Sequence, residues 1–161
     1  MTQFDKDYKL GKQSEKDSLK DLEEIFQCKL NHDPFEFAHF DFFNEDIMVE
    51  LKTRPDIKLQ NDGTIELKGN YIESLYFDSV KMGFAVKHNK ILRLEGNKMK
   101  RFFIVWKCSG QYLYWEMLFN EKSHIKNRDD YFFEDQNRDF GFGFKQEREV
   151  VNVYVDKITA Q

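Results

Sequence analysis

The run FDFFNEDIMVELKTR, from Phe40 to Arg54, sets an aspartate, a short polar turn at Asn44-Glu45-Asp46 and a strongly apolar strand in succession. Side chains alternate across a strand, so Glu50 and Lys52 share one face while Ile47, Val49 and Leu51 fill the other. If the segments on either side of the turn pair as antiparallel neighbours, Asp41 comes back alongside Glu50. Two carboxylates with a lysine beside them suit a divalent metal and an activated water. A second set lies just downstream: Pro55-Asp56 followed by Ile65-Glu66-Leu67-Lys68 repeats the pattern as Asp56, Glu66 and Lys68. Asn61-Asp62-Gly63 is a hairpin turn signal, so Ile57 to Lys68 reads as a two-stranded excursion with a polar face. Gly-Thr-Ile precedes Glu66 where Ile-Met-Val precedes Glu50, which favours the upstream set and keeps the downstream one as the alternative.

The chain has 161 residues, enough for one domain (1–161) with a proper core. Phenylalanine occurs 17 times, so that core is expected to be aromatic. At 40% hydrophobic and 34% charged residues the composition is that of a soluble globular protein, and no apolar run approaches the ~20 residues of a spanning helix. The charged N-terminus does not read as a signal peptide, which predicts an intracellular location, host cytoplasm or virion for a viral protein. Cys28 and Cys108 have no CxxC partner and are expected as free thiols. A net charge of −4 excludes coating of nucleic acid by bulk charge alone. The charge is uneven: Lys81, Lys87, Lys90, Arg93, Lys98, Lys100, Arg101 and Lys107 face a single acid, Glu95, in one stretch.

Along the chain, residues 1 to 13 read as a lead-in without periodicity. Ser14 offers an N-cap with Asp17 in the capping-box position, for a helix to about Leu30 whose apolar stripe is Leu19, Leu22, Ile25, Phe26 and Leu30. Glu15 falls near the centre of that stripe. Phe35 to Phe43 alternates as a strand, Ile47 to Arg54 is the central strand, and Tyr71 to Phe77 is a further strand before a helix from Asp78 to about His88. The alternative there is one continuous helix from an Asn70 cap, with Glu73 completing the box. Arg101 to Cys108 and Gln111 to Leu118 form a hairpin about Ser109-Gly110. Asn120 to Glu149 reads as polar and irregular, and Val150 to Val155 as the closing strand. Asp139-Phe140-Gly141, the scattered histidines and the Gly141/Gly143 pair lack the companion motifs that would give them meaning.

With Asp41 followed by Glu50-Leu51-Lys52 on an apolar strand, and Gly11-x-x-x-Glu15 on the first helix, the chain resembles the PD-(D/E)XK nuclease superfamily, in particular its small viral and phage-type members. The resemblance runs from about Glu15 to Lys157. It implies an α/β fold with a restriction-endonuclease-like core, a central mixed sheet flanked by helices in the order α-β-β-β-α-β. It implies a metal-dependent endonuclease that hydrolyses phosphodiester bonds, in DNA or alternatively in RNA, with Mg²⁺ or Mn²⁺ as cofactor. Asp41, Glu50 and Glu15 would serve the metal, with Lys52 completing the catalytic set. Lys81, Lys87, Lys98, Lys100, Arg101 and Arg138 would contact the nucleic acid, and symmetric double-strand cutting would imply a homodimer. The other class left open is a catalytically silent nuclease fold serving as a binding or structural module of a nucleoprotein assembly.

Overall fold

The structure, a computed structural model, describes residues 2–33, 39–139 and 145–161. Helix α1 spans Gln3–Phe26, so the segment expected as an unstructured lead-in is helical. Thr2 is its cap: the Thr2 hydroxyl accepts the Asp5 N–H at 3.1 Å and the Asp5 carboxylate accepts the Thr2 N–H at 3.0 Å. The Ser14 box predicted from the same pattern lies inside an already formed helix. Apart from Ile25 the helix holds no β-branched residue, and Gly11 is the one position where a glycine weakens it. Gln27 ends it in the left-handed conformation, earlier than the expected Leu30.

The strands are β1 (Asn31–His32), β2 (Phe42–Phe43), β3 (Ile47–Thr53), β4 (Ile57–Leu59), β5 (Ile65–Leu67), β6 (Asn70–Ile72) and β7 (Ser74–Asp78). After helix α2 (Ser79–Leu94) come β8 (Arg101–Cys108), β9 (Gln111–Met117), β10 (Tyr131–Asp139), β11 (Lys145–Tyr154) and β12 (Thr159–Ala160). A mixed sheet runs β1-β2-β3-β8-β9-β12, with β3 and β8 parallel and the other neighbours antiparallel. A second sheet, β10-β11-β7, and a third, β4-β5-β6, complete the architecture. The chain is thus α/β with a mixed sheet. Between the helices it holds seven strands, where the residue patterns give five and the resemblance implies three, because several are only two or three residues long and too short to show a period.

The parallel β3/β8 pair separates two cores. On one face Leu22 of α1 packs on Val49, Leu51, Phe103 and Val105. On the other, Met82 and Ala85 of α2 and Leu75, Phe77, Val151 and Val153 of the second sheet close over Phe102, Ile104 and Trp106. One helix therefore covers each face, as β-α-β packing requires. Three further expectations change. Of Phe35 to Phe43, residues 35–38 lie outside the described ones, 39–41 form a bend and only Phe42–Phe43 joins the ladder. Helix α2 runs on to Leu94, and Asp78 at its start gives its carboxylate to Arg148 at 3.1 Å instead of capping it. The stretch read as irregular contains β10 and the first half of β11, whose described side chains are mostly exposed and carry no apolar alternation. Among the described residues no helix is long and apolar enough to cross a membrane.

Asn89, fully buried on α2, ties the helix to the start of β8: its Nδ2 donates to the Lys100 carbonyl at 2.9 Å and its Oδ1 accepts the Lys100 N–H at 2.8 Å. Asn89→Ala strands both backbone groups and is expected to cost about 2–3 kcal/mol, read as a lower denaturation midpoint with unchanged m-value.

Candidate active site

Strand β2 pairs with β3 so that Phe42 faces Val49, and one step further along that register Asp41 stands by Glu50. The Asp41 N–H donates to the Val49 carbonyl at 3.1 Å, which extends the pairing past the end of β2. The Asp41 side chain closes the loop: its Oδ2 accepts the Leu51 N–H at 2.8 Å. An antiparallel turn and one side-chain bond thus lock two carboxylates together. Glu50 is 3% exposed, Asp41 6% and Glu15 8%.

Around this pair the cations come from two elements. Lys52, on the same face of β3, sits 3.4 Å from Glu50 Oε2, and Lys81, on the first turn of α2, approaches the same oxygen at 3.2 Å. Lys81 also donates to the His39 carbonyl at 2.7 Å. Glu15 reaches the site from α1, close enough to Asp41 to interact with it directly, and its Oε2 lies 3.1 Å from His32 Nε2. The His32 ring stacks on Phe42 with centroids 5.0 Å apart, which holds that contact in place.

The electrostatics are those of an over-buried acid. Burial, ahead of every other cause, pushes Glu50 up to about 8; Lys52 opposes the rise, Asp41 adds to it and Lys81 opposes it. Burial likewise raises Asp41, against the bond to Glu50 that holds it down. Two lysines within 3.5 Å would be expected to win at a surface, and here desolvation outweighs both. Glu50 Oε1 is buried and receives no hydrogen bond. A proton shared with Asp41, or a cation between the two, would satisfy such a pair.

That orphaned oxygen is the test of whether a metal fits. Mg²⁺ is commonly held by one or two carboxylates, with waters and phosphate oxygens filling its other positions, and the Asp41/Glu50 pair matches that donor set. Among the described residues no three His, Cys, Asp or Glu side chains are gathered as a metal cage, so Glu15 is placed beside Asp41 and not as a third member of a ready-made cluster.

The remaining expected residues divide by location. Lys87 is exposed on α2. Lys98 lies 3.7 Å from Asp46, Lys100 donates to the Asn44 carbonyl at 2.9 Å, and Arg101 forms a two-pronged pair with Glu116 at 2.8 Å. These last three sit where β3 and β8 begin, a few residues up the strands from Glu50. Arg138 is in β10, and its side chain lies outside the described ones. In the alternative set Asp56 and Lys68 are exposed, and Glu66 accepts a hydrogen bond from Gln60 in the three-stranded side sheet. Those carboxylates do not share the buried setting of Asp41 and Glu50.

Next to Lys52 a cleft of about 870 Å³ opens between the first turns of α1, the end of β3 and the second sheet. Arg54, Tyr76, Gln136 and Asn137 line it with Lys52. Neither this cleft nor the His32–Glu15 contact was foreseen, because both depend on elements far apart in sequence. The direct reach of Lys81 to Glu50 was signalled only by its place on the helix that follows the motif strands. Comparison of the chain with family models, with curated proteins and with solved structures returned no match.

The raised acid makes a testable demand on stability. Between the ordinary carboxylate value of 4.5 and about 8 the native state keeps a proton at Glu50 that the unfolded chain has released. Stability of the metal-free protein therefore falls as pH rises through that window. In EDTA, the thermal midpoint should decline from pH 5 to 8, and Glu50→Gln, which has no proton to lose, should flatten the decline. An equal slope in the variant contradicts the assignment.

Proposed function

We propose that the protein is a metal-dependent endonuclease on a restriction-endonuclease-like core, hydrolysing phosphodiester bonds in DNA. The observation that carries this is the buried Asp41/Glu50 pair with an unbonded Glu50 oxygen and Lys52 at its side. Asp41 and Glu50 would hold Mg²⁺ or Mn²⁺, which when bound polarises a phosphoryl oxygen and makes its water more acidic. The chain's own groups do the rest. Asp41 is aimed by its bond from Leu51 N–H, so the carboxylate cannot swing away from Glu50. Lys52 orients the attacking water and offsets the negative charge that builds on the phosphate as the new bond forms. Lys81, anchored on the His39 carbonyl, meets the same Glu50 oxygen as Lys52 and helps to fix that carboxylate in place. Glu15 supports Asp41 from the helix side, through a water or directly.

One observation favours a second reading. The lysines at Glu50 Oε2 already offer this acid counter-charges from within the protein, as a silent nuclease fold acting as a nucleic-acid-binding or structural module would also do. RNA as substrate is compatible with the same four residues, since the 2′-hydroxyl is read by contacts outside them.

Cleavage of supercoiled plasmid and of single-stranded RNA in Mg²⁺ or Mn²⁺ separates these readings. Wild type should cut one of them, and Lys52→Ala should lower the rate by about 10²–10³-fold, the usual loss for one charge-stabilising donor. Lys68→Ala should leave it unchanged. Loss with Lys68→Ala and not with Lys52→Ala would move the site to the side sheet; no cleavage of either substrate would favour the silent module.

A further inference from the structure

We propose that the cleft beside Lys52 takes a short single-stranded segment of the substrate and stacks a base on the Arg54–Tyr76 pair, an inference that rests on the nuclease reading and specifies its substrate. Arg54 follows the end of β3 and Tyr76 lies in β7 of the second sheet, yet they meet at the cleft wall, with the guanidinium 5.6 Å from the ring centroid. Each is fixed from behind. The Arg54 Nη1 donates to the Thr53 carbonyl at 2.9 Å, and the Tyr76 carbonyl accepts from Trp106 Nε1 at 3.0 Å. Guanidinium planes and aromatic rings are the surfaces on which unpaired bases stack.

The charge of the cleft points the same way. Its two basic side chains, Lys52 and Arg54, are matched by two acids, Asp7 and Asp56. A surface built to follow the phosphates of a duplex is strongly cationic, and this one is balanced. What it offers besides is the apolar surface of Phe4, Leu10 and the Tyr76 ring, with the amides of Gln136 and Asn137 able to donate to and accept from base edges. Gly11 of α1 also borders the cleft, and no protein atom lies within 4 Å of where a Cβ would stand. A mid-helix glycine costs ~1 kcal/mol relative to alanine, and here no packing contact requires it. Its missing side chain leaves the helix backbone open to a ligand. Since Lys52 belongs both to the cleft and to the Glu50 pair, a strand lying in the cleft brings its adjoining phosphate to the carboxylates.

The test is fluorescence anisotropy with short labelled DNA and RNA oligonucleotides, single-stranded and duplex, with Ca²⁺ replacing Mg²⁺ to hold back cleavage. Wild type should bind a single strand at least tenfold tighter than the duplex. Tyr76→Leu and Arg54→Gln should each weaken single-strand binding by about tenfold, the loss of one stacked base, while Tyr76→Phe retains it. A thermal melt of each variant shows whether it is folded, and Arg54→Gln decides the matter if Tyr76→Leu is not. Equal or tighter binding of duplex, or wild-type affinity in both stacking variants, overturns the inference; if wild type still cleaves plasmid, the nuclease reading survives. Absence of both binding and cleavage in wild type overturns the two together.

Discussion

Everything at the candidate site follows from placing an acid, Glu50, where water cannot reach it. Burying an ionised carboxylate costs several kcal/mol, and the surroundings answer with two lysines, yet burial, with Asp41 adding to it, still pushes the acid up to about 8. A core built for stability alone would place an apolar residue there, as the neighbouring positions Val49 and Leu51 do on the opposite face. The fold holds this uncomfortable group rigidly. Strand β3 is pinned between β2 and β8, and Asp41 is tethered to the backbone of the very strand that carries Glu50. A strongly raised acid held rigidly beside a second carboxylate is the kind of arrangement on which the proposed cation site rests.

The two helices play unequal parts. Helix α2 seals one core and delivers Lys81 to the carboxylate, so packing and charge placement are joined in one element. The second half of α1 covers the opposite core and supplies Glu15, while its first turns, with Phe4 and Leu10 exposed, project along the rim of the cleft. That division explains how a helix whose early residues pack so little can still matter: they form a wall. The basic residues at the beginning of β8 are largely engaged: Arg101 with Glu116 across the β8–β9 pair, and Lys100 with the turn at Asn44, where it helps to fix the β2–β3 connection.

The motif strand was legible because burial on one face and chemistry on the other produce a sharp two-residue alternation, and the Asn-Asp-Gly and Ser-Gly turns delimit their hairpins through backbone conformations that few residues adopt. The pairing of Asp41 with Glu50 could be read from the tight turn between them. Three things could not be read. The start of α1 was misplaced because Thr2/Asp5 and Ser14/Asp17 spell the same capping box, and local chemistry does not say which begins the helix. Strand β10 and the first half of β11 escaped notice because their described side chains are mostly exposed and they pair with each other, which leaves no periodic apolar mark, whereas the buried second half of β11 is the expected closing strand. The partners of Lys98, Lys100 and Arg101 are set by strand register, so a basic run in sequence became a set of paired charges in space.

Calorimetric titration of Mn²⁺ or Mg²⁺ into the metal-free protein near pH 7, in two buffers of different ionisation enthalpy, tests most directly whether the carboxylate pair is made for a cation. A site whose acids share a proton must release it as the metal enters, so binding should be accompanied by loss of about one proton, and Asp41→Asn should abolish both. Absence of binding in the wild type, or binding that persists in Asp41→Asn with the same proton count, would contradict the account.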